Sequence, residues 1–211
     1  MASLMPFEEA ASLLRRYDVP LVEYRLSGND DECVEFSNGV GYPVALKLMS
    51  SELIHKSDVG GVLTGIGSET AVREGCRKLR DLAQRLGVRF DGVLAQKMAS
   101  GFEMIVGGKV DRQFGGLIIV GSGGIYTEIY KDISLRVAPV DRREAERMMK
   151  ELTVYKALTG FRGKESNLGE LTRLVVNASL LMANEKIKEM DLNPVIVNEQ
   201  EALAVDVRII L

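Results

Sequence analysis

The chain has 211 residues and a mass of 23.2 kDa, which is long for one minimal domain and short for two, and indicates one domain built of two lobes. Hydrophobic residues make up 46% and charged residues 27%, values that exclude a disordered or fibrous protein. The net charge is −3 and the isoelectric point near 5.4, so there is no basic excess of the kind that nucleic acid binding needs.

The cysteines and the apolar segments indicate in which cellular compartment the protein is expected. Cys33 and Cys76 lie far apart, without the CxxC spacing or the Cys/His set of a zinc site, and we expect both to be reduced thiols. The start MASLMPFEEA lacks the basic residues and apolar run of a signal peptide, and no segment approaches the ~20 apolar residues of a membrane span. These features favour a soluble, cytoplasmic protein.

The first half of the chain predicts a helix, two strands and a second helix. Pro6 followed by FEEAASLLRRY is typical of a helix start, and LVEYRL is predicted to be a short extended segment. SGNDDE is interpreted as a polar stretch, and VALKLMS, which contains Lys47, as a compact strand. From Ser68 the apolar spacing predicts a helix that stops at Gly87.

The second half predicts strands, then two helices, then a hairpin. VRFDGVLAQKM is predicted to be a strand leading to a connector, and FEMIVGGKV and DRQFGGLIIVGSG to be strands that each end at a glycine-rich turn. IYTEIYKDISLRVAP is predicted to be extended or irregular. REAERMMKELTVYKAL is predicted to be one helix, and another begins at Asn167, where Glu170 completes a capping box.

These elements alternate without regular βαβ repeats, which indicates an α+β (mixed α/β) fold. We expect one lobe at about residues 1–95 and the other at about 96–211, joined near residues 95–98.

The closing segment, DLNPVIV, NEQE and ALAVDVRIIL, predicts a β-hairpin with a definite register. A two- or four-residue loop symmetric about Glu199-Gln200 pairs Asn193 with Asp206, and Asp191 with Arg208. Facing Cβ atoms lie about 4.5–5.5 Å apart, so an amide oxygen and a carboxylate can share one hard cation such as Mg²⁺. The plainer alternative, which the hairpin alone favours, is that Arg208 or the neighbouring lobe satisfies the Asp206 charge.

Three further features have both a structural and a functional interpretation. Lys47, inside an apolar strand, either extends its ammonium group to solvent or contacts a phosphate. Gly60-Gly61, Gly115-Gly116 and the run GSGG at 121–124 either form turns or present N–H groups to phosphates, and none matches a P-loop. His55, the only histidine, is either a polar turn residue or, since a neutral imidazole can attack phosphorus, a phosphoryl acceptor.

The chain resembles the ATP-grasp β subunit of the ADP-forming acyl-CoA synthetases (acetate–CoA ligase, ADP-forming). The resemblance covers residues from about 8 to 211 and rests on segments that occur in the family's order: GYPVALKLMSSELIHKSDVGGV, GVLAQKM, FEMIVGG, DRQFG, GSGGIYTEIYKDISLRVAP, and DLNPVIV with ALAVDVRI. It implies an ATP-grasp fold in which two α+β lobes clasp ATP. The implied reaction interconverts acyl-CoA, ADP and phosphate with acid, CoA and ATP.

The resemblance also implies which residues hold the nucleotide. Lys47 would contact its phosphates, and Glu103 its ribose hydroxyls. The connector residues Gln96, Lys97 and Met98 would hold the adenine through their backbone, which makes ADP rather than GDP the expected nucleotide.

The remaining implied roles concern metal, phosphoryl transfer and partner. Asn193 and Asp206 match the family's Mg²⁺ ligands. His55 matches the histidine of the HKSD block, which would carry a phosphoryl group between the nucleotide site and the partner. That partner is an α subunit with the CoA and acyl sites and its own phosphorylated histidine, in an expected α₂β₂ heterotetramer.

Some positions depart from the family pattern. Lys97 stands where an acidic residue is common, Arg112 stands where DPQFG is usual, and the segment before Gly41 is short for the family's helix.

Two alternatives remain beside the leading hypothesis. One is a carboxylate–amine ligase of ATP-grasp type, which forms an acyl phosphate without a phosphohistidine. The other is a nucleotide-binding regulatory subunit without turnover. This sequence does not indicate which acid is preferred, because we expect the acid-binding pocket on the α subunit.

Overall fold

The computed structural model of the chain describes residues 3–53, 59–124, 132–160 and 165–211. The chain divides into two compact units: Val22–Met98 forms the smaller one, and Met1–Leu21 with Ala99–Leu211 the larger one. Each unit combines an antiparallel sheet with helices, which confirms the predicted α+β class. Among the described residues, no helix is long and apolar enough to cross a membrane.

The first 21 residues belong to the larger unit, so the prediction that residues 1–95 form one lobe was wrong at its N-terminal end. Helix α1 (Phe7–Arg16) is flanked by backbone hydrogen bonds to the last strands of the chain. The Met5 N–H donates to the Ile209 carbonyl (2.9 Å), and the Ala204 N–H donates to the Pro20 carbonyl (2.9 Å). Such long-range pairing is not visible in local sequence patterns.

The smaller unit is a sheet of four described strands with two helices. Its strand order is β1–β4–β2–β3, and all neighbouring strands are antiparallel. The elements in chain order are β1 (Tyr24–Ser27), α2 (Asp30–Val40), β2 (Val44–Met49), β3 (Val62–Ile66), α3 (Glu69–Leu86) and β4 (Gly92–Lys97).

One face of this sheet packs against α2 and α3. The buried cluster takes alternate residues of β2 and β4, which is the two-residue period of side chains on one face of a sheet. Its members are Cys33, Val34, Val44, Leu46, Leu48, Val72, Cys76, Leu79, Ala83, Val93 and Ala95. Helix α3 follows the prediction: the Ser68 hydroxyl accepts the Ala71 N–H (3.3 Å), and the helix ends at Gly87 in the left-handed conformation (φ 67°).

The larger unit contains a sheet of six described strands in the order β10–β8–β5–β6–β7, with β9 paired to β8. All its pairs are antiparallel. After α1, its elements are β5 (Phe102–Asp111), β6 (Gly115–Ser122), β7 (Ile133–Val137), α4 (Arg142–Glu151), α5 (Tyr155–Leu158), α6 (Leu168–Asn184), β8 (Glu189–Val197), β9 (Ala202–Ala204) and β10 (Arg208–Ile210).

Helices cover one face of the larger sheet. Helix α6 packs on β5 and β6, and α4 packs on β6 and β7. The residues facing them are almost fully buried and include Met104, Val106, Ile118, Val120, Met190, Leu192 and Ile209. The intervening residues therefore point to the second face, where burial is much lower.

Two elements of the smaller unit were not predicted. Helix α2 begins inside the stretch interpreted as polar: Asn29 is its N-cap and accepts the Asp31 N–H (2.9 Å), and the first turn is acidic. Those are helix-start signals within a stretch that was interpreted only as polar. Strand β3 is short, contains Gly65 and has no fully buried residue, so it lacks an apolar alternation.

One predicted boundary in the larger unit was wrong. The segment predicted as one helix is split into α4 and α5, because the Asp132 carboxylate accepts the N–H groups of Thr153 (2.7 Å) and Val154 (3.0 Å) at the break. The predicted strand FEMIVGGKV corresponds to β5, and Gly107-Gly108 within it pairs with β6 on one side and with β8 on the other.

A charged network joins β7 to α4. Arg136 donates to Glu144 (2.6 Å) and to Glu151, and the Ser134 hydroxyl also donates to Glu151 (2.6 Å). The Arg136 guanidinium lowers the pKa of both glutamates. Because these folded-state pKa values are depressed, the network stabilises the fold above the ordinary glutamate pKa near 4.3 and is lost as the pH falls through the lowered values.

We therefore predict that Arg136→Gln lowers the free energy of unfolding at pH 7 and that the difference from the parent shrinks by pH 3. Denaturant unfolding at both pH values measures this. Arg142→Gln is the matched control, because its pair with Glu146 is largely exposed and contributes little. An Arg136→Gln deficit of equal size at the two pH values would contradict the prediction.

Candidate functional site

The closing hairpin has the predicted register. Its loop has four residues, with Val197 facing Ala202 and the Asn198 N–H donating to the Glu201 carbonyl (3.0 Å). Beyond the loop, Asp191 faces Arg208, as predicted. The same register therefore holds in both paired segments of the hairpin.

Asn193 and Asp206 lie between these two paired segments. The Val205 N–H donates to the Pro194 carbonyl (2.9 Å), so the backbones are hydrogen-bonded at the adjacent position. Pairing on both sides with an unchanged register sets Asn193 opposite Asp206. The Asn193 side chain is exposed and the Asp206 side chain is half-buried, with its Oδ1 accepting the Val207 N–H (3.0 Å).

Arg208 is engaged with residues other than Asp206. It donates to Glu189 (2.7 Å) and lies 3.9 Å from Asp191, and these are its ion pairs among the described residues. The alternative in which Arg208 satisfies Asp206 therefore has no contact to support it. Burial raises the pKa of Asp191, the nearby Arg208 opposes that rise, and the charges of Glu189 and Asp206 add to it. This end of the sheet is thus acidic, which suits a cation.

Glu103 lies on β5, on the second face of the same sheet, facing Ile196 of β8. The glycine-rich turn after β6 packs directly against it. The Gly123 N–H donates to the Glu103 carbonyl (2.7 Å), and a Cβ on Gly123 would lie 2.7 Å from the Glu103 carbonyl carbon. A Cβ on Gly124 would lie 3.3 Å from the Glu103 carboxylate. The turn therefore supports the backbone of Glu103.

The contacts of this turn also bear on the interpretation that the run GSGG at 121–124 presents N–H groups to phosphates. The Ser122 N–H donates to the Asp132 carbonyl (3.0 Å), so this N–H and that of Gly123 are both used within the fold. Neither is presented to a phosphate, and the glycines serve close packing instead.

Lys47 and Gln96 share one face of the smaller sheet. Val44, Leu46 and Leu48 of β2 point toward α2 and α3, so Lys47 points the other way, as does Gln96 on β4.

Their register places them diagonally across two strands. Lys47 faces Leu94 and Ala45 faces Gln96, which puts the Lys47 and Gln96 Cβ atoms about 7–8 Å apart or less. Both side chains are buried, at 6% and 1% exposure, so the interpretation of Lys47 as a solvent-directed lysine was wrong.

The connector residues Lys97 and Met98 end the smaller unit. The Lys97 N–H donates to the Glu23 carbonyl (3.0 Å), and its ammonium group donates to the Glu23 carboxylate (2.7 Å). The Gly65 N–H donates to the Met98 sulfur (3.3 Å), while 41% of Met98 is exposed. Glu23 thus fixes the position of Lys97.

His55 lies outside the described residues, as does the rest of segment 54–58. The chain on both sides is tied to neighbouring strands. The Ser51 N–H donates to the Asp91 carboxylate (2.6 Å), and the Leu48 N–H donates to the Gly61 carbonyl (2.8 Å).

The structure brings the candidate residues together in two sets. Lys47 and Gln96 share a face of the smaller sheet, with Lys97 and Met98 at its end. In the larger unit, Glu103 lies on β5, Asn193 on β8 and Asp206 between β9 and β10. Within the described ranges, no group of three His, Cys, Asp or Glu side chains forms a metal cluster. The role of Asn193 and Asp206 as metal ligands stays a prediction.

The sequence did not point to Glu23 or Gly123 as supporting residues. Their roles depend on strand pairing across 74 and 20 positions of sequence, for which no short motif exists.

A family model described as an ATP-grasp domain matches residues 2–211. The β subunit of acetate–CoA ligase [ADP-forming] I from Pyrococcus furiosus is 40% identical over 96% of this chain and 90% of its own length. The chain belongs to the ATP-grasp family of ADP-forming acyl-CoA synthetase β subunits. Acetate–CoA ligase [ADP-forming] I from Archaeoglobus fulgidus is also 40% identical, and there the ATP-grasp chain spans 30% of a longer polypeptide.

The ATP-grasp fold is also matched by solved structures. Dinucleotide forming acetyl-coenzyme A synthetase 1 of Ca. Korarchaeum cryptofilum, in complex with coenzyme A, Ca-AMPCP and HgCl+, superimposes with a TM-score of 0.93. The two are 39% identical over 99% of this chain and 93% of that one. The same archaeal protein with coenzyme A and Mg-AMPPCP (TM-score 0.86, 36% identity, 99% and 93% coverage) has its phosphohistidine segment pointing towards the nucleotide binding site.

We predict that Gly123→Ala destabilises the ATP-grasp chain by roughly 1–3 kcal/mol, because the new Cβ overlaps the Glu103 backbone. Thermal or denaturant unfolding measures this. Gly39→Ala is the matched control: it lies in α2 with nothing within 4 Å of its Cβ, so it should stabilise by about 0.5–1 kcal/mol. A Gly123→Ala protein as stable as the parent would contradict the packing described here.

Proposed function

We propose that the chain is the nucleotide-binding β subunit of an ADP-forming acyl-CoA synthetase that interconverts acyl-CoA, ADP and phosphate with acid, CoA and ATP. The observation that carries the proposal is that a chain related to such β subunits along nearly its whole length has Asn193 facing Asp206 across its closing hairpin. Phosphoryl transfer depends on positioning and charge neutralisation, which this arrangement supports.

Asn193 and Asp206 fit Mg²⁺. They provide one amide oxygen and one carboxylate, which are the hard donors that the ion prefers. Asp206 would hold the ion through its carboxylate, whose Oδ1 also accepts the Val207 N–H. When bound, Mg²⁺ supplies positive charge that offsets the charge of the nucleotide phosphates. An AMPPCP complex of a related structure contains Mg²⁺.

Lys47 is assigned to the nucleotide phosphates. Its ammonium group is held on a strand that is buried along its whole length, so little side-chain freedom remains to be lost on binding. A phosphate anion offsets the desolvation of the buried charge.

The connector and Glu103 are assigned to the nucleoside. Because the Lys97 N–H is used by Glu23, we assign the adenine to the Lys97 carbonyl and the Met98 N–H. Gln96 supports this connector from the buried face of β4. Glu103, held by the turn at Gly123, accepts hydrogen bonds from the ribose hydroxyls.

His55 is assigned the role of phosphoryl carrier. It lies in the HKSD block that resembles the family's phosphohistidine block, and the related structure has a phosphohistidine segment that points towards its nucleotide site. A carrier is needed because the CoA and acyl sites lie on a separate α subunit, in an α₂β₂ assembly. Relatives in which this domain is 30% of one longer chain support a partner that supplies the rest of the enzyme.

We predict that His55→Ala abolishes phosphoryl transfer while leaving nucleotide binding intact. The complex with the α subunit is incubated with γ-³²P-labelled ATP, and the β subunit is tested for acid-labile, base-stable label. Label that is absent from the parent, or unchanged in His55→Ala, rejects the carrier role.

The same complex separates the two alternatives. Formation of ADP that depends on CoA and acid supports the synthetase, whereas dependence on an amine indicates a carboxylate–amine ligase. Nucleotide binding without turnover in any assay indicates a regulatory subunit.

We predict that Lys47→Met weakens binding of ATP and ADP by about 10–100-fold, or about 1.4–2.8 kcal/mol, with little effect on adenosine, because only the phosphate contact is lost. Isothermal titration calorimetry measures all three affinities. Lys78→Met, an exposed change on α3, is the matched control. Equal weakening for adenosine would show a structural defect rather than a lost phosphate contact.

A further inference from the structure

The two cysteines meet in the core of the smaller unit. Cys33 lies on α2 and Cys76 on α3, and both side chains are 0% exposed. The two helices pack against each other, and both cysteines belong to the same buried cluster. Both are free thiols, as expected from the sequence, and they belong to one cluster because α2 and α3 fold onto the same sheet. The proposed catalytic roles use neither residue.

The two thiols differ chemically because they are hydrogen-bonded to each other. This hydrogen bond, followed by burial, raises the pKa of Cys33, whereas the same hydrogen bond lowers the pKa of Cys76. The positive charges of Arg80 and Arg73 on α3 also lower the pKa of Cys76, against the effect of its burial and of Asp30. Cys76 is therefore the thiolate-forming member of the pair and Cys33 the proton donor.

Ion pairs hold the two helices in this arrangement. Arg73 pairs with Asp31 (2.6 Å) and Arg80 with Asp30 (2.5 Å), so α3 is tied to the first turn of α2 at two points. Contacts on the helix surfaces therefore hold α2 against α3, in addition to the packing of the core.

We propose that Cys33 and Cys76 form a reversible disulfide that joins α2 to α3, with a hydroperoxide as the oxidant. The Cys76 thiolate attacks a peroxide oxygen, giving a sulfenic acid and a hydroxide that leaves as water once protonated. The Cys33 thiol then attacks the sulfenic sulfur, forming the S–S bond and releasing a second water. Two thiols are oxidised, and one hydrogen peroxide is reduced to two waters.

The bond encloses the chain between positions 33 and 76, which contains β2 with Lys47, the HKSD block and β3. Closing a loop of this length restricts the unfolded chain, so the oxidised protein is the more stable form. Hydrogen peroxide is small enough to reach the pair during local opening of the helices.

The test treats the purified chain, in complex with its α subunit, with hydrogen peroxide and then with iodoacetamide under denaturing conditions. We expect the peptides containing Cys33 and Cys76 to be joined, with a mass loss of two hydrogen atoms that dithiothreitol reverses. We also expect the melting temperature to rise by about 5–15 °C. Cys33→Ala and Cys33→Ser should show neither the joined peptides nor the rise.

Two outcomes overturn the proposal. One is that both thiols of the treated parent still react with iodoacetamide. The other is that one or both cysteines gain oxygen without becoming joined. Because both readouts are made on the parent protein, the proposal stays falsifiable even if the variants fold poorly.

Discussion

The register of the closing hairpin is the constraint on which the metal assignment depends. A shift of one residue in this register would no longer place Asp206 opposite Asn193. The four-residue loop at one end and the pairing of Asp191 with Arg208 at the other leave no room for such a shift. Asn193 and Asp206, which we propose as ligands of one ion, are thereby held within a single hairpin.

Both sheets position the candidate residues in a similar way. Helices cover one face of each, with aliphatic side chains at alternate positions, and the intervening positions carry the polar residues assigned to the nucleotide. Lys47 and Gln96 follow from the alternation of β2 and β4, and Glu103 from the alternation of β5. Packing on one face therefore directs these polar side chains to the other face. Hydrogen bonds with Glu23 and Gly123 further fix Lys97 and Glu103, respectively.

Much of this could be predicted from the sequence where the signal is local. The caps of α3, the start of α6 at Asn167 and the hairpin register all rest on residues close together in the chain, and the structure confirms them. Features that depend on long-range contacts were missed: the N-terminal segment joining the larger unit, the helix break that Asp132 stabilises, and the meeting of Cys33 with Cys76. Helix α2 is different. Its N-cap signals were present in the sequence, but the segment was interpreted as a polar stretch because of its composition.

The central claim is that Asn193 and Asp206 act together on one Mg²⁺ beside the nucleotide. The most direct test is a double-mutant cycle of Asn193→Ala, Asp206→Ala and the double variant, with Mg²⁺-dependent ATP affinity measured by calorimetry. We predict a coupling energy of about 1–3 kcal/mol between the two positions, and little effect of any variant when Mg²⁺ is omitted. Additive losses, or equal losses with and without Mg²⁺, would contradict the account.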